Sequence, residues 1–484
     1  MKLVKQNTEQ KLSDLLFIAK RLEVTTIQEL PPSGSYRKYF RLFCGLQTFI
    51  GAFNPEPKEN LAFIHFSKHF INCGLKVPEI IAEDIDNHIY IHTDLGDTTL
   101  FSFLEQNRKK QIFPENAINI YKQVLIDLIK FQFEAGKELD YSFCYPRESF
   151  DRQSMMWDLN YFKYYFLKLA KVNFDEQKLE NDFEVFVNYL LKADCIYFLY
   201  RDFQSRNIML KNNIVYYIDY QGGRRGPLYY DAASLLYDAK ANIPQNVREE
   251  LLDYYINLVK KIIYVDELEF RSMYYGYVLI RIMQAMGAYG FRGFYEKKEH
   301  FLRSIPYALQ NLDWLLNNLK IPVKIPTLIR VLEHLTVSEE LMKYNEKIFP
   351  ESSLCVHIQS FSYLKGLPID KSGHGGGFIF DCRVLPNPGK YSEYENNNGK
   401  DSVVKDFLDN DEEVKQFLQN VYKIVEQSVE KYISRNFTHL QIAFGCTGGQ
   451  HRSVFCAEKL AAHLKLKYQI NIELEHTNKN NWKK

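Results

Sequence analysis

The sequence predicts an α+β body built from two lobes, followed by a separate α/β domain. Three observations lead there. At 484 residues the chain is too long for one core, and about three compact units are expected. The hydrophobic pattern changes twice, from short strands with one helix, to long helices, to alternating strands and helices. Two prolines in "KIPVKIP" (320–326) interrupt the periodicity between the second and third regions. The expected boundaries are a β-rich lobe at 1–97, a helical lobe at 98–320, a connector with a helix at 321–352, and an α/β domain at 353–484.

In chain order, residues 11–30 read as a helix. "LPPSGSYRKYFRLFCGLQTFIGAF" then reads as two strands around a Gly/Ser turn. "ENLAFIHFSKHFINCGL" has helical spacing and a stop at Gly74, and "EIIAEDIDNHIYIHTDL" reads as a hairpin through Asp86 and Asn87. Helices follow at 115–135, 150–170, 176–193, 231–240, 246–262, 267–290 and 298–319. A helix at 327–347 belongs to the connector. The last domain is read as strands at 354–361, 377–384, 438–444 and 469–475, with helices at 403–409, 411–434 and 451–466.

Composition excludes some classes. Lys and Arg (61) nearly balance Asp and Glu (60), leaving +1, so no general polyanion or membrane binder is indicated. The 34 Tyr and 35 Phe are read as packing residues. The amphipathic N-terminus lacks the apolar centre of a signal peptide, and no run approaches a membrane span. The eight Cys are dispersed without zinc spacing, which fits a reduced, cytoplasmic protein.

Two stretches carry chemistry. In "YRDFQSRNIM" (200–209), Asp202 and Asn207 share one short loop, and "IDY" (218–220) brings Asp219 after a hairpin. Phosphoryl transfer needs a carboxylate for the attacking hydroxyl and oxygen ligands for Mg²⁺ on the phosphates. Asp202 can be the base, and Asn207 and Asp219 the metal ligands, because the hairpin returns 219 to 207. The bland alternative is an Asx turn. In "THLQIAFGCTGGQHRSVFCAEKLAAHL" (438–464), a strand, a turn of small residues and a helix follow in order. Such a turn can aim backbone N–H groups at an anion, and Arg452 adds a fork suited to phosphate. Cys446 and Arg452 also have the C-x5-R-[ST] spacing of cysteine phosphatases, although Gly445 stands where such enzymes usually carry His.

"YRDFQSRNIM" and "YIDYQGGRRGPLYYDAASLL" (217–236) resemble the aminoglycoside phosphotransferase and choline kinase superfamily, relatives of protein kinases. With "GSYRKYFRL" (34–42), "FNPEPKENLAFI" and "LKVPEIIAEDIDNHIYIHTDLGDTTL", they look most like bacterial cell-wall-recycling kinases acting on the anomeric hydroxyl of N-acetylmuramate or N-acetylglucosamine. The resemblance covers about 10–320. It implies a bilobal protein-kinase-like fold with ATP and Mg²⁺ as cofactors and a small-molecule sugar as substrate. By match, Ser33, Gly34, Ser35 and Arg37 lie over the phosphates, Asp94 and Leu95 meet adenine, and Arg201 and Asp231 brace the catalytic loop. Two departures stand out. Tyr200 replaces the common His, and "TFIGAF" (48–53) lacks the strand Lys that grips the phosphates, leaving Arg37, Lys38 or Lys58 as substitutes. Arg224 and Arg225 are candidates for an acidic group. Trp157 and Tyr161 are candidates for the acceptor.

"GCTGGQHRSVFCAEKLA", "SFSYLKGLPID" (360–370) and "GFIFDCRVLPNPG" (377–389) resemble the C-terminal domain of the RNase adapter RapZ. That implies a pocket for a phosphorylated amino sugar built from Cys446, Thr447, Gly448, Gly449, His451, Arg452 and Ser453, with Lys365, Asp381, Arg383 and Asn387 around it. RNA is carried as a disfavoured partner, since the nucleotide-binding half of RapZ is replaced here. The tail "NKNNWKK" (478–484) is read as a solvated terminus. The expectation is an amino-sugar kinase with a sensor domain for a phosphorylated amino sugar. The alternatives are a catalytically weak kinase-like regulator, an RNA-binding adapter, or a Cys-dependent phosphatase.

Overall fold

The computed structural model describes residues 2–31, 37–108, 113–319, 321–344, 354–370, 377–435, 437–468 and 470–482. The chain forms two compact units, Met1–Asn345 and Glu346–Lys484. Among the described residues no helix is long and apolar enough to cross a membrane, and all eight cysteines are free thiols.

Unit one opens with α1 (Lys2–Lys20) and a five-stranded antiparallel sheet in the order β1-β2-β3-β5-β4. Its strands are β1 (Thr26–Glu29), β2 (Lys38–Cys44), β3 (Gln47–Phe53), β4 (Ile80–Asp84) and β5 (Ile89–Thr93). Phe40, Leu42 and Cys44 alternate inward along β2 and meet Leu12 and Leu16 of α1. α2 (Pro57–Asn72) packs Phe63, Phe66 and Phe70 with Ala52 and Tyr90 of the sheet. It starts on Pro57 with Glu56 as its cap and stops before Gly74, whose φ of +76° suits glycine.

The helix expected at 11–30 instead ends at Lys20, where Arg21 turns left-handed (φ 58°). The β-branched residues that follow, Thr25, Thr26 and Ile27, join the sheet edge beside β2. The expected Gly/Ser turn at Ser33, Gly34 and Ser35 lies outside the described residues. β2 and β3 are joined through Gly45 (φ +62°) and Leu46.

The second lobe is helical. Its axis is the helix Glu267–Tyr289, which packs against Arg152–Phe162, Tyr229–Leu236 and Ile305–Asn318. Three helices widen into π-helical turns, at Lys130–Ala135, Lys163–Leu167 and Gly290–Tyr295. Set among them are two short β-ribbons, β6 (Tyr197–Leu199) with β9 (Arg224–Gly226), and β7 (Ile208–Lys211) with β8 (Ile214–Tyr217). Asn212 and Asn213, both at positive φ, make the tight turn between β7 and β8. The helix Pro326–Thr336, expected as connector, is part of this lobe. Leu328, Val331, Leu332 and Leu335 are buried in its core, and Asp182 accepts hydrogen bonds from the backbone N–H groups of Thr327 and Leu328.

Unit two is a four-stranded, all-parallel sheet in the order β11-β12-β10-β13. Its strands are β10 (Cys355–Ser362), β11 (Gly377–Asp381), β12 (His439–Cys446) and β13 (Asn471–His476). The expected strand at 377–384 stops at Asp381, and Cys382–Val384 form a 3-10 turn. Val356, Ile358, Ile442 and Phe444 form a core with Val421 and Val425 of the helix Glu412–Ser434 and Phe455 and Leu460 of the helix Arg452–Lys467.

Candidate functional site

Asp202 and Asn207 lie between β6 and β7, and Asp219 lies two residues beyond β8. The hairpin closes back on itself: the Ile218 N–H donates to the Asn207 carbonyl at 3.0 Å, and the Tyr200 hydroxyl donates to the Ile218 carbonyl at 2.6 Å. Asn207 therefore reaches the Asp202 backbone and the Asp219 carboxylate. Its Nδ2 donates to the Asp202 carbonyl at 2.9 Å and to Asp219 Oδ2 at 3.3 Å. The Asp219 side chain is 44 % exposed but crowded by protein. Burial, and then the charge of Asp202, raises its pKa, while Arg37 and Gln221 oppose the rise. Gln221 Nε2 donates to Asp219 Oδ1 at 2.7 Å.

The loop is held by a buried frame. Asp231, fully buried in the helix Tyr229–Leu236, accepts the Tyr200 N–H at 2.7 Å and the Arg201 N–H at 3.0 Å. Burial pushes its pKa up to about 7 against those two hydrogen bonds. Arg201 has positive φ (84°), as does Asp219 (71°), a cost of roughly 1–3 kcal/mol each that the surroundings must offset. Both forks of the Arg201 guanidinium bind Asp158, and its plane lies 5.1 Å from the rings of Phe150 and Tyr230. Asp238 accepts both the N–H and the hydroxyl of Ser205.

Asp158 and Asp238 carry no motif and were missed in sequence. Asp238 lies two residues past the helix Tyr229–Leu236, where no helical spacing links it to Asp231.

The other expected residues are placed as follows. Asp94 is buried. Its carboxylate pairs with Arg41 at 2.7 Å and accepts the Gly96 N–H at 2.8 Å, while its carbonyl accepts Lys211 Nζ at 2.7 Å. A polar cleft of about 420 Å³ lies along Asp94, Leu95 and Lys211. Asp202 and Asp219 do not line it, so it marks the inter-lobe segment rather than the paired acids. Arg37 is 3 % exposed and faces Asp219 at 3.8 Å; Lys38 and Lys58 are exposed. Arg224 is buried, donates to the Gly222 carbonyl, and has its pKa lowered to about 10 by burial and then by Arg201. Arg225 lies 4.3 Å from the ring of Tyr141. Trp157 is exposed beside Arg147, and Tyr161 joins a cluster with Tyr165 and Phe291.

In unit two, Cys446 ends β12 and Arg452 starts the next helix. Thr447 and Gly448 are exposed, and Gly449 has a φ of +64° with only 3.0 Å from an added Cβ to Ser362 and Asn478, so a side chain there would be strained. The carbonyls of this turn are tied back: Thr447 accepts Ser362 Oγ, Gly448 accepts Asn478 Nδ2, and Gly449 accepts Trp482 Nε1. Arg452 is buried and spends Nη1 on the carbonyls of Arg383 and Leu385, tying the helix start to the segment after β11. Cys446 is buried against Ser453 Oγ at 3.1 Å. A buried thiol and an arginine turned onto carbonyls do not form the thiolate–guanidinium pair of a phosphatase. Asp381 and Arg383 are exposed, pair with each other, and place the guanidinium 4.0 Å from the Tyr363 ring. Asn387 and His451 flank Gly389, and His451 Nε2 bonds the Tyr394 carbonyl. Lys365 is exposed on the 3-10 turn after β10. The tail read as solvated is tied down through Asn478 and Trp482.

Residues 26–262 match the phosphotransferase enzyme family, and residues 354–480 match the RapZ C-terminal domain. A nucleotide-binding protein of Thermosipho africanus is 39% identical over 118 residues, covering 24% of this chain and 40% of that one. Another, from Fusobacterium nucleatum, is 38% identical over 128 residues, covering 26% and 42%. The chain thus spans about two-fifths of the length of these curated relatives.

Among solved structures, spectinomycin phosphotransferase APH(9)-Ia is 13% identical with a TM-score of 0.43, covering 67% of this chain and 98% of that one. Amicoumacin kinase hAmiN is 9% identical with a TM-score of 0.46, covering 68% and 100%. Choline kinase LicA from Streptococcus pneumoniae is 13% identical with a TM-score of 0.38, covering 63% and 99%. The chain therefore joins a domain similar to the phosphotransferase enzyme family to a domain similar to the C-terminal domain of RapZ.

Proposed function

We propose that unit one transfers the γ-phosphoryl group of ATP to a hydroxyl of a small molecule, an N-acetylhexosamine or N-acetylmuramate. The observation that carries this reading is that Asn207 bonds the Asp202 backbone carbonyl and the Asp219 carboxylate at once, on a loop braced by Asp231. Asp202, half-buried on this loop, orients the acceptor hydroxyl and takes its proton. Asn207 and Asp219, side by side, would hold the ion through their side-chain oxygens, the donor type Mg²⁺ requires. With only these two side chains as protein ligands, phosphate oxygens of the nucleotide would complete the set. When bound, the ion neutralises charge on those phosphates. Leu95 and the segment around it meet the adenine.

Asp202→Asn tests this. Turnover of ATP with an N-acetylated hexosamine should fall by about a hundredfold or more, while ADP binding stays within about twofold. Unchanged turnover would remove Asp202 from the reaction.

Unit two binds a phosphorylated amino sugar where the parallel strands end. The exposed Thr447 and Gly448 stand at the start of the helix Arg452–Lys467, with Arg383 and Lys365 as nearby cations. Its ligand tunes the kinase. Glucosamine-6-phosphate should raise the melting temperature and shift sugar affinity, and Arg383→Ala should abolish the shift. An unchanged melt at saturating ligand ends this part of the reading.

A further inference from the structure

Strand β3, "QTFIGAF", carries no cation, yet the cleft is not left without one. Arg37 enters just ahead of β2 and is 3 % exposed. Nη2 pairs with Glu59 at 3.0 Å, Nη1 donates to the Tyr39 hydroxyl at 3.1 Å, and Nη1 lies 3.8 Å from Asp219 Oδ1.

Glu59 is itself fixed. It sits in the first turn of α2, and its Oε2 accepts Asn54 Nδ2 at 2.7 Å. Asn54 is anchored in turn, since its carbonyl accepts the Nδ2 of buried Asn60 at 2.9 Å. A helix carboxylate thus aims a buried cation at the acid that follows β8. Lys38 and Lys58, the other cations near in sequence, are exposed.

We infer that Arg37, positioned by Glu59, is the cation that grips the α- and β-phosphates of the nucleotide, arriving from the β2 side of the sheet in place of a lysine on β3. The inference rests on the kinase reading above. It goes further in assigning a phosphate-binding arginine and a positioning carboxylate. A guanidinium differs from an ammonium in presenting a planar fork to two oxygens, so the site gains geometric selectivity for a polyphosphate. α2 becomes the arm that sets this fork. Asn54, at the turn before α2, becomes the second support.

Binding of adenosine, AMP, ADP and ATP to the full chain separates the possibilities. Wild type should bind ADP and ATP at least about tenfold more tightly than adenosine. Arg37→Gln should erase most of that difference while leaving adenosine affinity within about twofold, and Arg37→Lys should restore part of it. Glu59→Gln keeps the guanidinium but loosens its aim. It should raise the KM for ATP more than it lowers kcat. If Arg37→Gln is folded by circular dichroism and keeps the preference for ADP over adenosine, the inference is overturned. It is equally overturned if adenosine and ADP weaken in parallel in Arg37→Gln and Glu59→Gln. Should wild type bind no adenine nucleotide at all, the kinase reading itself fails, a different result from either of these.

Discussion

Asp158 holds Arg201 through both carboxylate oxygens, and Arg201 holds the strained backbone next to the proposed base. Both side chains are largely buried, 14 % and 8 % exposed. Removing one partner strands the other charge, so Asp158→Ala should lower the unfolding free energy by about 3–5 kcal/mol in urea titrations and depress turnover. Asp231 gives a pH signature. Its folded pKa of about 7 stands above its ordinary value of 3.8. Between those values the folded chain keeps a proton that the unfolded chain releases, so stability falls as pH rises through that window. Asp231→Asn should flatten this slope, read as the wild-type-minus-variant difference in denaturation midpoint across it. Asp202, Asn207 and Asp219 were legible in sequence because their spacing encodes a loop and a hairpin, whereas Asp231 was implied by the family resemblance. Asp158, Glu59 and Arg41 were not, because what selects them is a partner far along the chain.

At the scale of elements, local signals succeeded where local chemistry decides. Asn212-Asn213 specifies the β7–β8 turn, and Pro57 with Gly74 brackets α2. They failed where packing decides. Apolar periodicity carried the expected first helix past Lys20, but pairing with β2 claims Thr26–Glu29 for the sheet. The π-helical turns leave no composition signal either. One of them has a packing cause. Gly290 lies so close to the helix at 163–167 that an added Cβ would stand 1.9 Å from the Tyr165 carbonyl oxygen. Gly290→Ala therefore forces two backbones apart, and should lower the melting temperature through a loss of about 1–3 kcal/mol or more. A melt equal to wild type would contradict this contact.

At the scale of the molecule, the two units have separate hydrophobic cores. One is centred on Tyr255, Tyr277 and Leu279, and the other on Val356, Ile442 and Phe455. Each core is large enough to fold its own segment. Calorimetry should show two transitions, with ADP raising one and glucosamine-6-phosphate the other. A single transition moved by either ligand would instead mean one cooperative unit. The division into a two-lobed body and a following α/β domain was readable from the change in periodicity. The boundary was not, because the helix Pro326–Thr336 looks like a linker between prolines until its leucines are seen to fill the first core.

Trp482 and Asn478 add a practical consequence. The indole and the amide brace the carbonyl side of the glycine turn from below, like a wedge behind a hinge. Proteolytic removal of residues 478–482, or a purification tag that pulls these side chains away, would leave the strands intact but slacken the turn proposed to hold the ligand. Preparations that differ only in their last few residues should then differ in apparent effector affinity.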